Sequence, residues 1–244
     1  MTRILVTGST TGVGRATAAA LLEDGHDVVV HARSQDRLAA VEYLIDAGAA
    51  SVVGDLADPG QVRGIAEQAQ QIGPLDAVIH NAGVIAGADL LSVNVVAPYV
   101  LTTLLTAPRL IYLSSSMHRG GRPELASADW SGASETVSYS DTKLLVTALM
   151  AAVARLRPDV LANAVDPGWV PTRMGGPDAA EELELAHVTQ AWLATSQDAE
   201  ALSSGGYWHH GRVEKTHANV HDEAFQDELL AALAEHTGTD LRDG

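Results

Sequence analysis

Short β-branched runs alternate along this chain with longer Ala- and Leu-rich segments of helical period, and that alternation most constrains what the chain can fold into. The strand-like runs are ILVT (4–7), DVVVHA (27–32), SVVG (51–54), LDAVIH (75–80), RLIYLS (109–114), VLANAV (160–165) and GYWHH (206–210). Between them the period predicts helices near 13–23, 35–46, 59–71, 90–106, 140–156 and 179–195. Strands that are apolar on both faces need cover on both sides, and helices between them supply it as parallel crossovers. The expected architecture is α/β: a doubly wound parallel sheet of about seven strands with helices on both faces, a Rossmann fold. The 244 residues suit a single domain over 1–244. Its end, AFQDELLAALAEH, predicts a tail helix near 224–236, with Phe225, Leu229, Leu230 and Leu233 on one face to pack against the domain or a partner subunit.

The net charge of -16 repels phosphate backbones and anionic lipid, so nucleic acid and membranes are poor partners. No apolar run approaches the ~20 residues that cross a bilayer, and the opening MTRILVTGS enters a strand-like run at once, so the expected location is cytoplasmic. Cysteine is absent, which removes disulfides, thiol nucleophiles and Cys-ligated metals.

Directly after the first run stands VTGSTTGVG, carrying Thr7, Gly8, Gly12 and Gly14, with Ser9, Thr11 and Val13 completing the loop. Glycines between a strand and a helix allow a tight turn and let backbone N–H groups approach a pyrophosphate, while the helix N-terminus adds partial positive charge. The loop is expected to bind a dinucleotide. At the end of the second run, VVVHARS places Ala32 and Arg33 where a carboxylate would serve a ribose 2′-OH. With no carboxylate there, and a guanidinium to pair with a 2′-phosphate, NADP(H) is preferred and NAD(H) remains possible. Ser9 and Ser34 are expected to add hydroxyl donors.

The stretch SYSDTK holds one of only two lysines, against thirteen arginines. Tyr139 and Lys143 stand four apart and share a helix face. A free phenol, with a pKa of ~10, is a poor base near neutrality, and an adjacent ammonium is expected to lower it. A compact ammonium also suits contact with a cofactor ribose better than a planar fork does.

Taken together, TGSTTGVG, HNAG, YSDTK and DPGWVPT resemble the short-chain dehydrogenase/reductase family, in the family's order and over residues 3 to about 210. The resemblance implies an NAD(P)-dependent oxidoreductase interconverting a carbonyl and an alcohol, acting as a homo-oligomer on a small molecule. It implies cofactor contacts at Gly8, Gly12, Gly14 and Arg33, at Asp55 and Leu56 for the adenine, at Asn81, Ala82 and Gly83 along the cleft, and at Pro167, Gly168, Val170 and Thr172 for the nicotinamide carboxamide. The implied catalytic group is Asn94, holding a water for proton relay, a serine, Tyr139 as general acid or base, and Lys143, which also binds the nicotinamide ribose. Similarity to the retinol dehydrogenase-like branch selects Ser115 as the serine, with Ser114 and Ser116 as the remaining choices. That branch is also resembled in the separation of 24 positions from Ser115 to Tyr139, a stretch that includes RGGRPELASADWSGASET.

Met117, His118, Trp130, Trp169 and Met174 are candidate lining residues around Ser115 for a largely apolar substrate. His209, His210, His217 and His221 lack a recognised zinc spacing and are expected to be a solvated histidine-rich loop, with no metal site. No G-x-S-x-G elbow follows a strand, which disfavours a serine hydrolase. Two other readings are weighed: a cofactor-binding regulatory protein without turnover, and a nucleotide-sugar epimerase or dehydratase, for whose larger C-terminal domain the chain has little room.

Overall fold

The computed structural model describes residues 1–131, 134 and 136–243; positions 132, 133 and 135, toward the end of the RGGRPELASADWSGASET stretch, lie outside them. A mixed sheet of eight strands runs in the order β3-β2-β1-β4-β5-β6-β7-β8. The strands are β1 (Arg3–Val6), β2 (Asp27–Ala32), β3 (Ala50–Val53), β4 (Ala77–His80), β5 (Arg109–Leu113), β6 (Leu161–Asp166), β7 (Tyr207–His209) and β8 (Arg212–Val213). All pairings are parallel except the last, where β7 turns back into the two-residue β8. The sequence reading of seven strands missed β8, which is too short to carry a periodic signal. The reversal of strand order between β1 and β4 is the switch point at which doubly wound sheets open a ligand crevice.

Helices α1 (Gly12–Glu23), α2 (Glu42–Asp46), α3 (Pro59–Ile72), α4 (Ala97–Leu104), α5 (Tyr139–Leu156), α6 (Val188–Thr195) and α7 (Glu223–Thr237) cover the sheet. Three differ from the periodicity. Residues 35–46 divide into a 3-10 segment, Gln35–Val41, and the short α2. The 90–106 helix opens with a π-helical turn, Ser92–Val96, with Pro98 at the start of α4. The 179–195 helix is α-helical only from Val188, because Gly175, Gly176 and Pro177 begin an irregular segment that runs to it.

One core cluster joins α3, α4, α5 and α7 to the sheet; the other lies beneath α1 and α6. The tail packs on its own domain. Asp222 caps α7 by accepting from the N–H groups of Ala224 and Phe225, and Phe225, Leu229, Leu230 and Leu233 are buried against α5. Arg63 donates to Thr237 O at 2.7 Å, Tyr99 to Thr239 O at 2.7 Å, and Arg157 to Leu241 O at 2.9 Å. No helix among the described residues is long and apolar enough to cross a membrane.

Candidate active site

The site is assembled where β1, β4, β5 and β6 end. At β1, Gly8 and Gly12 take φ of +64° and +55°, a region costly for other residues. Gly14 is required sterically: a Cβ there would lie 2.2 Å from Asn81 Nδ2. Thr7 Oγ1 accepts from Ala82 N at 3.0 Å, and Asn81 Nδ2 donates to Thr7 O at 2.8 Å, so the segment after β4 clamps the loop. Helix α1 starts at Gly12 with no side-chain cap from Thr11, and an uncapped helix start has N–H groups to offer an anion. These features fit a dinucleotide pyrophosphate.

His31, which sequence reasoning passed over, ties the loop to the sheet. Gly8 N donates to its Nδ1 at 2.9 Å, so Nε2 carries the proton and donates to Gly54 O at 2.9 Å. Burial holds this imidazole below its ordinary pKa, and the Gly54 bond and Asp55 charge only partly oppose that. Its one signal was a polar residue within an apolar strand run, where it needs partners. Ser9 is buried and spent on the His31 backbone, accepting from His31 N at 2.8 Å, so it is not the free hydroxyl donor expected. Arg33 and Ser34 are exposed beyond β2, and Arg33 makes no ion pair among the described residues. Asp55 follows β3 half-buried and accepts from Ala57 N, while the Leu56 side chain joins the core.

Helix α5 begins with a capping box: Ser138 Oγ accepts from Asp141 N, and the Asp141 carboxylate accepts from Ser138 N. That cap makes Tyr139 the first helical residue and sets Lys143 one turn later. Lys143 is buried, donates to Leu113 O at 2.8 Å, and places Nζ 5.4 Å from the Tyr139 ring centroid. Gly83 sits opposite, where a Cβ would approach Lys143 Nζ to 3.6 Å and Asn94 Oδ1 to 3.3 Å. The ammonium does not lower the phenol here. Burial and the Asp166 charge push Tyr139 up to about 12. Burial also holds Lys143 down at about 8, against a partial opposing pull from Asp166.

The lysine shift has a stability consequence. Between about pH 8 and 10.5 the unfolded chain binds the proton that the folded chain has lost, so stability rises with pH across that window. The penalty, ~3 kcal/mol, is fully present below pH 8. Lys143→Met relieves it and forfeits the Leu113 hydrogen bond, for a net gain of ~1 kcal/mol or ~2–4 °C in Tm at pH 7. Thermal unfolding at pH 7 and pH 10 checks this: the advantage of the variant shrinks at the higher pH, and activity is lost at both.

Asn94 lies in the π turn with its side chain fully engaged: Oδ1 accepts from Val84 N at 2.8 Å, and Nδ2 donates to Val84 O and to Thr142 Oγ1. It anchors the β4 loop to α5. Of the three serines after β5, Ser114 is buried and paired with Thr147 at 2.7 Å. Ser116 is exposed and contributes its N–H to Asp166. Ser115 is half-buried.

These serines and Tyr139 line a cavity of about 550 Å³ with Val13 of the glycine loop, Pro167, Gly168, Val170 and Thr172 after β6, and the expected Met117, Trp169 and Met174. Two other expected lining residues are elsewhere. His118 is fully buried, bonded to Ser115 O and His217 N and set against Tyr207, because the 3-10 turn after Ser115 points it into the fold. Trp130 packs on the large core cluster. Asp166 was not anticipated. Its carboxylate accepts from Ser116 N, Gly168 N and Tyr207 OH at 2.6, 2.9 and 2.9 Å, holding the serine segment and the turn after β6 in one frame.

The short chain dehydrogenase family model matches residues 2–183. An uncharacterised oxidoreductase of Emericella nidulans is 35% identical over 260 residues, covering 100% of both chains. A short-chain dehydrogenase of Gibberella zeae is 35% identical, with 99% of each chain covered. Among solved structures, a blue fluorescent protein from a metagenomic library in complex with NADPH superposes with a TM-score of 0.71 at 24% identity, covering 85% of this chain and 95% of that one, a likeness of fold. With the fold, the clamped glycine loop and the Tyr139–Lys143 helix start all in that pattern, this chain is an oxidoreductase belonging to the short-chain dehydrogenase/reductase family.

Proposed function

We propose that the chain is an NADP(H)-preferring oxidoreductase that interconverts a carbonyl and an alcohol on a small, largely apolar molecule. The observation carrying this is that Ser115 and Tyr139 open onto the same cavity as Val13 and the Pro167–Thr172 segment, with Lys143 behind the tyrosine. The nicotinamide supplies or takes the hydride. Gly8, Gly12 and Gly14 with the α1 N-terminus would hold its pyrophosphate, Asp55 and Leu56 the adenine end, Asn81 to Gly83 the cleft wall, and Val170 and Thr172 the carboxamide.

In the reducing direction Tyr139 gives its phenolic proton to the substrate oxygen, and the Ser115 hydroxyl donates a hydrogen bond to that oxygen. Lys143 supplies buried positive charge beside the phenol and a donor for the ribose, while Asn94 holds a relay water. Exposed Met117, Trp169 and Met174 favour an apolar body on the substrate. A small-molecule substrate and a cytoplasmic setting complete the reading. Any homo-oligomer has to use a face other than the one α7 covers.

Titration with NADPH and NADH, then NADPH oxidation over aldehydes, ketones and quinones, tests the proposal. Tight NADPH binding with turnover of a carbonyl supports it, and failure to bind either cofactor overturns it. Arg33→Ala is expected to weaken NADPH by ~10-fold or more, the loss of a charge-assisted phosphate contact of ~1.5–3 kcal/mol, while NADH affinity holds. Equal loss of both removes the 2′-phosphate contact from the proposal.

A further inference from the structure

Glu181, His209 and His210 bring one ligand atom each to within 4.8 Å of one another, and Glu181 and His209 also line the cavity. They come from separate parts of the chain. His209 ends β7, His210 opens the turn into β8, and Glu181 belongs to the irregular segment between β6 and α6. The histidine spacing therefore gave no sign of a site, since its third member lies 28 residues upstream of His209.

Neighbouring residues of a strand point to opposite faces, so two adjacent histidines normally cannot share a ligand. Here the turn overrides that rule. His210 has φ of +45°, the one described non-glycine residue with positive φ, and Gly211 follows at +71°. This is the backbone of a two-residue hairpin turn, a position that asparagine usually fills before glycine. With His210 there, the two rings come to a centroid separation of 4.0 Å.

Two of the three ligands are already oriented by a partner outside the trio. His209 Nδ1 lies 3.3 Å from Asp166 O, a contact that puts the proton on Nδ1 and the lone pair on Nε2, which has no partner among the described residues. Glu181 Oε1 accepts from Trp169 N at 2.8 Å, and its Oε2 meets His210 Nε2 at 2.6 Å. A backbone carbonyl behind a histidine and an N–H behind a carboxylate are the supports that metal ligands characteristically have. Burial disfavours ionisation of Glu181, but the Trp169 bond and His210 outweigh it and hold the carboxyl below its ordinary range.

We propose that Glu181, His209 and His210 form a binding site for a divalent transition metal, zinc above all, that ties the segment between β6 and α6 to the end of β7. Two imidazoles and a carboxylate suit zinc, which takes such sets tetrahedrally with ligand distances of ~2.0–2.2 Å and leaves a fourth position for water. The ion takes the place of the proton now shared by Glu181 and His210, so the pair separates slightly and His209 closes in. Because Glu181 shares its segment with Val170, Thr172 and Met174, the metal fixes one wall of the cavity. Metal binding at this site needs no turnover to be detected.

The test is calorimetric titration of the full, untagged chain with zinc chloride, with thermal unfolding followed alongside. One equivalent is expected to bind and to raise Tm. His210→Asn is the informative variant, because asparagine suits the turn while removing a ligand, so the chain keeps or gains stability without zinc. It is expected to weaken zinc at least ~10-fold, as is Glu181→Gln, since even outer supports of a metal site contribute that much. His221→Asn leaves binding unchanged. Absence of binding by the parent chain at 100-micromolar zinc (~100 μM, a loose limit for a built three-ligand site), or binding that survives both His210→Asn and Glu181→Gln, overturns the proposal.

Discussion

Tyr139→Phe is expected to lower carbonyl turnover by ~10²–10⁴-fold, the share a positioned general acid supplies, while NADPH affinity stays within about twofold. Phenylalanine keeps the ring that packs against the large core cluster and deletes only the hydroxyl that faces the cavity. A fall in kcat with cofactor binding spared therefore isolates the proton. With the free-chain phenol at about 12, the reducing direction finds its acid protonated throughout the neutral range. The oxidising direction needs the phenolate, so its rate rises with pH up to the phenol's pKa in the loaded enzyme. Steady-state rates in both directions across pH 6 to 10, a range of roughly four units chosen to straddle neutrality, check both statements. Undiminished turnover in the variant removes Tyr139 from its role.

Replacing Leu229 and Leu233 together by alanine is expected to cost ~4–10 kcal/mol, since each buried leucine-to-alanine change costs ~2–5 kcal/mol. Both side chains belong to α7 and are fully buried on its inner face. Whole domains are stable by only ~5–15 kcal/mol, so the double variant loses most or all of its margin. Denaturant unfolding of the parent, each single and the double variant measures the loss, and light scattering reports whether the uncovered α5 face associates. A double variant within ~1 kcal/mol of the parent would mean that the tail adds little to the core.

Much of this was legible in the sequence because the signals are local. Period alone marks the strand runs, and the glycine loop and the Tyr139–Lys143 pair are encoded by residues within one turn of each other. Arg33 and Asp55 also fall at the predicted strand ends. What escaped depends on contacts between distant segments. His31 gains its role from Gly8 and Gly54, and Asp166 from Ser116 and Tyr207. Ser9 and His118 carry the right chemistry in the right segments, but turns of a few residues bury them. The phenol's pKa was misjudged because the lysine was weighed without the desolvation that both groups share, or the carboxylate behind them.

The bonds that seat the tail also reach far back along the sequence. Arg63 reaches Thr237 across 174 positions, and Tyr99 reaches Thr239 across 140. On the ribosome, the face made by α3, α4 and α5 emerges early and waits, uncovered, until residues 223–241 have been synthesised. At ~5–20 residues per second, the interval from the end of α5 to the end of α7 is several seconds of exposed apolar surface. The nascent chain therefore passes through a state that a chaperone would recognise, and slowing the translation of residues 223–241 lengthens that state without changing the final fold.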